Sequence, residues 1–89
     1  MSSPTLDVIE RDPVAMRVAG VLALANESAT ANGMSPFESR IAISEDEIDD
    51  HPCWRVHYGP RDYLGTRGGD LLVFINLEAT VVLKVLICQ

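Results

Sequence analysis

The sequence predicts an α+β domain: one long N-terminal helix packed across a four-stranded antiparallel sheet. Three observations carry this. An apolar stripe at helical spacing fills the region before Gly33. After Gly33 the apolar period drops to two and stays there. Turn-forming residues then separate short alternating runs with no helical stretch between them, so consecutive strands connect as hairpins.

Residues 1–11 read as an N-terminal tail, with room for a short turn or helix carrying Leu6, Val8 and Ile9, and residues 12–89 as a single helix-on-sheet domain. The helix starts at Asp12-Pro13. A carboxylate there caps free N–H groups, and proline suits the first helical position because no N–H is needed. Val14, Val18, Val21, Leu22, Ala25 and Ala29 make the buried stripe, flanked by Ala15, Ala19 and Ala23, which permit close approach to a sheet. Asn32-Gly33 stops the helix.

Four alternating runs follow: "FESRIAIS" from Phe37, "CWRVHY" from Cys53, "LLVFIN" from Leu71 and "VVLKVLIC" from Val81. Between them lie an acidic stretch ending "DDHP", then "YGPRDYLGTRGGD", then "NLEAT". Pro60 is expected to set the second turn, with Tyr63 and Leu64 packing on the sheet end. Ile41, Ile43, Trp54, Val56, Tyr58, Leu71, Val73, Ile75, Leu83, Val85 and Ile87 are assigned to the helix side. Arg40, Ala42, Ser44, Arg55, His57, Leu72, Phe74, Val82, Lys84 and Leu86 fall on the other.

That second side raises the main question. A sheet with one solvated face alternates apolar-in and polar-out. The first two strands obey; the last two place Leu72, Phe74, Val82 and Leu86 away from the helix. As neighbours these would form a patch of a few hundred Å², the size at which an exposed patch signals binding. Three other covers stay open: the tail folding back, the sheet curling on itself, and a second copy docking through the sheet.

Charge narrows the partner. Seven basic residues against thirteen acidic ones give −6, which repels phosphate backbones and anionic lipid and favours a basic protein partner. "EDEIDD", Glu45, Asp46, Glu47, Ile48, Asp49 and Asp50, holds five carboxylates in six residues. It lacks the glycine and distal glutamate of a calcium loop. It reads as a hairpin loop forming an acidic prong, with Ile48 as an apolar anchor.

His51, Cys53 and His57 match no zinc spacing and lack a fourth ligand, so no metal or other cofactor is expected. Cys53 beside a histidine has no feature that would lower its thiol pKa, and nearby carboxylates oppose a thiolate, so no catalytic residue is assigned. Arg55 and His57 are placed with the partner-binding residues instead. Cys53 and Cys88 are expected to be free thiols in a reducing cytoplasm. "MRVAGVLALANESATA" has the outline of a signal peptide, but Asp7, Glu10 and Asp12 precede it with the wrong charge. No stretch is long and uninterrupted enough to be a membrane span.

"WRVHYGP" and "YLGTRGGDLLVFINLEATVVLKVLICQ", preceded by the long helix, resemble the small cystatin-like immunity proteins of bacterial toxin systems, often grouped with a nuclear-transport-factor-like fold. Members show a "W.V.Y" strand, a "GG" pair, a strand ending "V.ID", a "K.TG" turn, a "VL.V" strand and a closing "GQ". Trp54, Val56 and Tyr58 match the first; Gly68 and Gly69 the second; Val73, Ile75 and Asn76 the third; Val82, Leu83, Val85 and Gln89 the last. The chain departs at the turn, where Leu77, Ala79 and Thr80 stand, and at Cys88 in place of glycine. A looser hairpin turn is implied. The resemblance implies an α-β-β-β-β fold and a non-enzymatic inhibitor of a cognate protein toxin.

Two other readings stand beside it. "HPCW" is similar to the Pro-Trp wedge of cystatin protease inhibitors, although their glutamine-rich first loop is absent. A small enzyme or ligand carrier would use Arg55 and His57, but needs a pocket that a chain this short can hardly spare.

Overall fold

The computed structural model of the chain describes residues 5–61 and 69–88. Two helices, α1 (Leu6–Arg11) and α2 (Pro13–Ala31), precede four strands, β1 (Ser39–Ile48), β2 (His51–Pro60), β3 (Asp70–Asn76) and β4 (Val82–Cys88). The strands form one antiparallel sheet in the order β1-β2-β3-β4. The α+β class and the helix-then-strands order are those read from the sequence. The expected packing of Tyr63 and Leu64, and the matches at Gly68 and Gln89, fall outside the described residues.

Local chemistry explains the boundaries. The Asp12 carboxylate accepts from Val14 N at 2.9 Å and Ala15 N at 3.1 Å, with Pro13 opening α2. At the other end Gly33 takes φ 83°. Its N–H donates to the Thr30 carbonyl at 3.1 Å, and Met34 N–H donates to the Ala29 carbonyl at 2.9 Å. These two bonds close the helix in the Schellman pattern, which needs a left-handed residue at that place.

The tail holds a short helix, as its apolar residues allowed. Thr5 Oγ1 accepts from Val8 N at 3.3 Å and starts α1, which packs on α2 and on no strand. It therefore does not cover the far side of the sheet.

The core lies between α2 and the sheet. Val21, Ala25 and Ala29 meet Val56, Tyr58, Leu71, Val73 and Ile75, all buried. Trp54, Ile41, Ile43, Val85 and Leu24 pack around them. The helix contacts β2, β3 and β4, and not β1. Val14, expected in the stripe, is exposed, because the first turn of α2 runs past the core. Ile87, expected to meet the helix, stays 60 % exposed at the outer edge. Phe37 is not a strand residue: it sits 91 % exposed in the turn before β1.

One local irregularity changes which side chains face where. Phe74 pairs with Lys84, but Ile75 pairs with Val82, so Leu83 is an extra residue in β4. A bulge of this kind reverses the inside–outside alternation beyond it. Val82, expected on the far side, packs against the helix-side core, and Leu83, expected in the core, is exposed.

Tyr58 is fully buried, and its hydroxyl donates to Asn26 Oδ1 at 2.7 Å, tying β2 to α2. Burial pushes its pKa up to about 12.

Two outcomes follow. Val82→Asp is expected to destabilise the fold by several kcal/mol in urea unfolding, and Leu83→Asp by less than about 1 kcal/mol. Equal costs would place both on one side of the sheet. In base, the unfolded chain loses the Tyr58 proton near pH 10 and the folded chain only near pH 12. Stability is therefore complete below pH 10 and lost across pH 10 to 12, by about 2–3 kcal/mol. Tyr58→Phe should remove that part of the decline in unfolding curves taken at pH 9 and pH 11.5.

Candidate functional site: the acidic hairpin and the open sheet face

The acidic run is not a loop. Glu45, Asp46, Glu47 and Ile48 continue β1, paired with Trp54, Cys53, Pro52 and His51. The turn is two residues long, Asp49 at φ 50° and Asp50 at φ 66°. Two successive left-handed residues are the type I′ geometry, whose twist matches that of the flanking strands. β3 pairs with β2 only from Cys53 to Tyr58. The end of the β1–β2 hairpin therefore projects beyond the rest of the sheet as a two-stranded tip.

Alternation sends Glu45 and Glu47 to the helix side and Asp46 and Ile48 to the open side. Among the described residues, Glu45, Glu47, Asp49 and Asp50 form no ion pair. Asp46 does: its Oδ2 lies 3.5 Å from Arg55 Nη1, and Arg55 Nε donates to Ser44 Oγ at 3.3 Å. The prong thus has four free carboxylates and one that orders an arginine.

The second hairpin tip is built by Asn76. Its Oδ1 accepts from Thr80 N at 2.9 Å and Val81 N at 2.8 Å, while its Nδ2 donates to Thr80 Oγ1 at 2.7 Å. Ala79 takes φ 57° where a glycine would be easier. The Leu77 carbonyl accepts from Arg17 Nη1 at 2.9 Å and from Trp54 Nε1 at 3.3 Å. That oxygen joins α2, β2 and the β3–β4 turn. Between the two tips lies an open cleft of about 500 Å³ lined by Ile48, Asp49, His51, Pro52, Glu78 and Leu83, among others.

On the open face the register sets rows across the strands. Ala42, His57, Leu72 and Leu86 form one; Ser44, Arg55, Phe74 and Lys84 the next; Asp46, Cys53 and Asn76 the third. Phe74 is only 7 % exposed although no helix covers it. Its register neighbours are Arg55 and Lys84, whose aliphatic stems can shield a ring while their charges stay in water. His57 Nε2 and Asp70 Oδ2 are 2.7 Å apart, across the diagonal between β2 and β3. The four-residue apolar patch read from the sequence is therefore smaller. Val82 is on the other side, Phe74 is sealed, and Leu72 and Leu86 remain half-buried and 36 % exposed. The polar side chains of Arg55, His57, Asp70 and Lys84 surround them.

The cysteines cannot bridge. Cys53 pairs with Asn76 and Cys88 with Asp70, at opposite ends of β3 and on strands that flank it. That separation is roughly 20 Å at strand rise, far beyond disulfide reach. Burial, then the carboxylates of Asp46 and Glu47, push the Cys53 thiol pKa up. No group of three or more metal-ligating side chains occurs among the described residues, and no helix there is long and apolar enough to cross a membrane.

The sequence reading named the acidic run and the far-side residues. It missed the cleft between the tips and the Arg17–Leu77–Trp54 junction, because each depends on contacts between distant elements. Comparison with protein-family models, curated proteins and solved structures finds no match.

Thiol chemistry checks this geometry. Ellman's reagent at pH 8 should modify one thiol per native chain within minutes, and Cys88→Ser should abolish that fast phase. Cys53 should react only on unfolding. A fast phase persisting in Cys88→Ser would mean that Cys53 is accessible in the native chain.

Proposed function

We propose that the chain is a non-enzymatic binding protein, an immunity protein that neutralises a cognate bacterial toxin in the cytoplasm by engaging a basic surface. One observation carries the reading: the five carboxylates of Glu45–Asp50 are held on a projecting, rigidly turned hairpin, four of them unpaired among the described residues. A preformed charged prong loses little entropy on docking and speeds encounter with an oppositely charged partner. Ile48, on the open side of the tip, supplies an apolar anchor beside the charges. The contact surface then continues along Asp46, Arg55 and His57 to Leu72 and Leu86, which share that face. Phe74 underlies this surface rather than forming it, and Val82 plays no part.

A second reading, a cystatin-type protease inhibitor, is favoured by one feature. The start of α2, the β1–β2 tip and the β3–β4 turn gather at one end of the molecule, linked through the Leu77 carbonyl. Such an end could enter a cleft as a wedge. It ranks second because its most projecting part is acidic rather than apolar.

Co-expression should restore growth to cells poisoned by the toxin encoded beside this chain, with the two proteins forming a stoichiometric complex. Reversing Glu47, Asp49 and Asp50 to lysine should slow association at low salt by at least about tenfold, and flatten its salt dependence. Unchanged association would remove the hairpin from the interface. Inhibition of a papain-class protease by the wild-type chain would favour the second reading.

A further inference from the structure

The two edges of the sheet differ in kind. An edge strand presents unpaired N–H and C=O groups to any strand that meets it, and proteins usually blunt it with charge, proline or shortness. β1 is so guarded, by Arg40, Glu45, Asp46 and Glu47. β4, "VLKVLIC", is seven residues long, has no proline and carries Lys84 as its one charge. Leu83 is 47 % exposed, and Leu86, Ile87 and Cys88 are also exposed. The bulge lies at the start of the strand, so Lys84 to Cys88 keep a regular ladder with β3. In an antiparallel ladder alternate residues turn their N–H and C=O away from the existing partner, and among the described residues no strand pairs with the outer edge of this segment.

We propose that β4 pairs antiparallel with β4 of a second copy of this chain, giving a continuous eight-stranded sheet around a two-fold axis normal to it. An antiparallel strand pair is self-complementary under that operation, so one apolar strand serves both subunits. The axis keeps both α2 helices on the same side of the joined sheet. Val85 and Ile87 then meet their symmetry mates on the helix side, and Leu86 does so on the open side.

Charge layout permits a copy of the chain in this arrangement. At −6 the chain resists self-association wherever its acidic groups would meet. The Glu45–Asp50 hairpin is on the β1 side, three strand spacings from β4. That is about 14 Å within each copy and roughly 30 Å or more across the seam, well past the Debye length of about 8 Å in physiological salt. At the seam itself, Asp70 opposite Cys88 is engaged by His57.

Size sets the strength. A seven-residue strand is about 24 Å long, and with its side-chain layers offers on the order of 400 Å² per copy. Standard interfaces bury about 800 Å² per partner. A contact of half that size is weak, so the dimer is expected to form only at high protein concentration.

Sedimentation equilibrium of the full chain from about 1 to 300 µM should show a monomer–dimer equilibrium in that range. Leu83→Lys combined with Ile87→Lys places four added cations at the seam and should weaken dimerisation at least tenfold, with unchanged far-UV circular dichroism. Ala42→Lys, on the open face of β1 at the far side of the sheet, should leave it intact. A monomer at every concentration overturns the proposal. So does a dimer that survives the double variant, or one that Ala42→Lys dissolves, because either puts the contact elsewhere.

Discussion

The rest of the structure depends on one contact: the face of α2 formed by Val21, Ala25 and Ala29, lying on β3 and its neighbours. Two alanines in that face bring the helix axis close to the sheet. Gly20 faces the β3–β4 turn, where an added methyl would make an ordinary contact with Ala79 Cβ at 3.5 Å. A helix so placed covers about three strands. The molecule is accordingly flat, 40 × 38 × 20 Å, with one core and little reserve of buried area. Everything beyond that core is secured by polar bonds at its ends. Tyr58 reaches Asn26, Arg17 and Trp54 share the Leu77 carbonyl, and Asn76 closes the turn.

Because the helix sits over β3, the two edge strands have different roles. β1 lies outside the helix's contacts and is free to extend past the sheet as half of the acidic hairpin. β4 touches the helix but must also end the sheet. The bulge reconciles these demands at the β3–β4 tip. It turns Val82 inward, where the start of the strand runs beneath the helix, and releases Leu83 to the cleft between the hairpin tips. A single extra residue thereby removes one apolar side chain from the open face and adds another to the cleft rim.

The legible part of this fold was the part governed by period. The cap at Asp12, the stop at Gly33 and the alternation in Ile41–Ile43, Trp54–Tyr58 and Leu71–Ile75 state their faces directly, since local geometry alone decides them. The acidic run misled because charge density suggests a loop. A strand residue with both sides in solvent can be any polar type, and Asp49-Asp50 supplies the turn in two residues instead of six. Val82 and Leu83 misled because a bulge leaves no mark in an all-apolar stretch; either register looks equally good in sequence. Phe74 misled for a different reason. It is buried between Arg55 and Lys84 in the register, residues that count as polar but have long apolar stems, so a binary reading of the far face overstates what needs a partner. The acidic residues of the candidate site were visible; their rigid presentation was not.

That presentation has a cost that bears on function. Both residues of the β1–β2 turn have positive φ, a region where a side chain raises the energy by about 1 kcal/mol relative to glycine. Aspartate tolerates it better than most residues, but asparagine followed by glycine is the commoner solution for this turn. Two adjacent carboxylates there also repel each other and the nearby Glu47. The turn does not need the charge to fold, and the described core does not use it. What the geometry fixes is direction: two successive left-handed residues hold both carboxylates at the hairpin's outer end, away from the core.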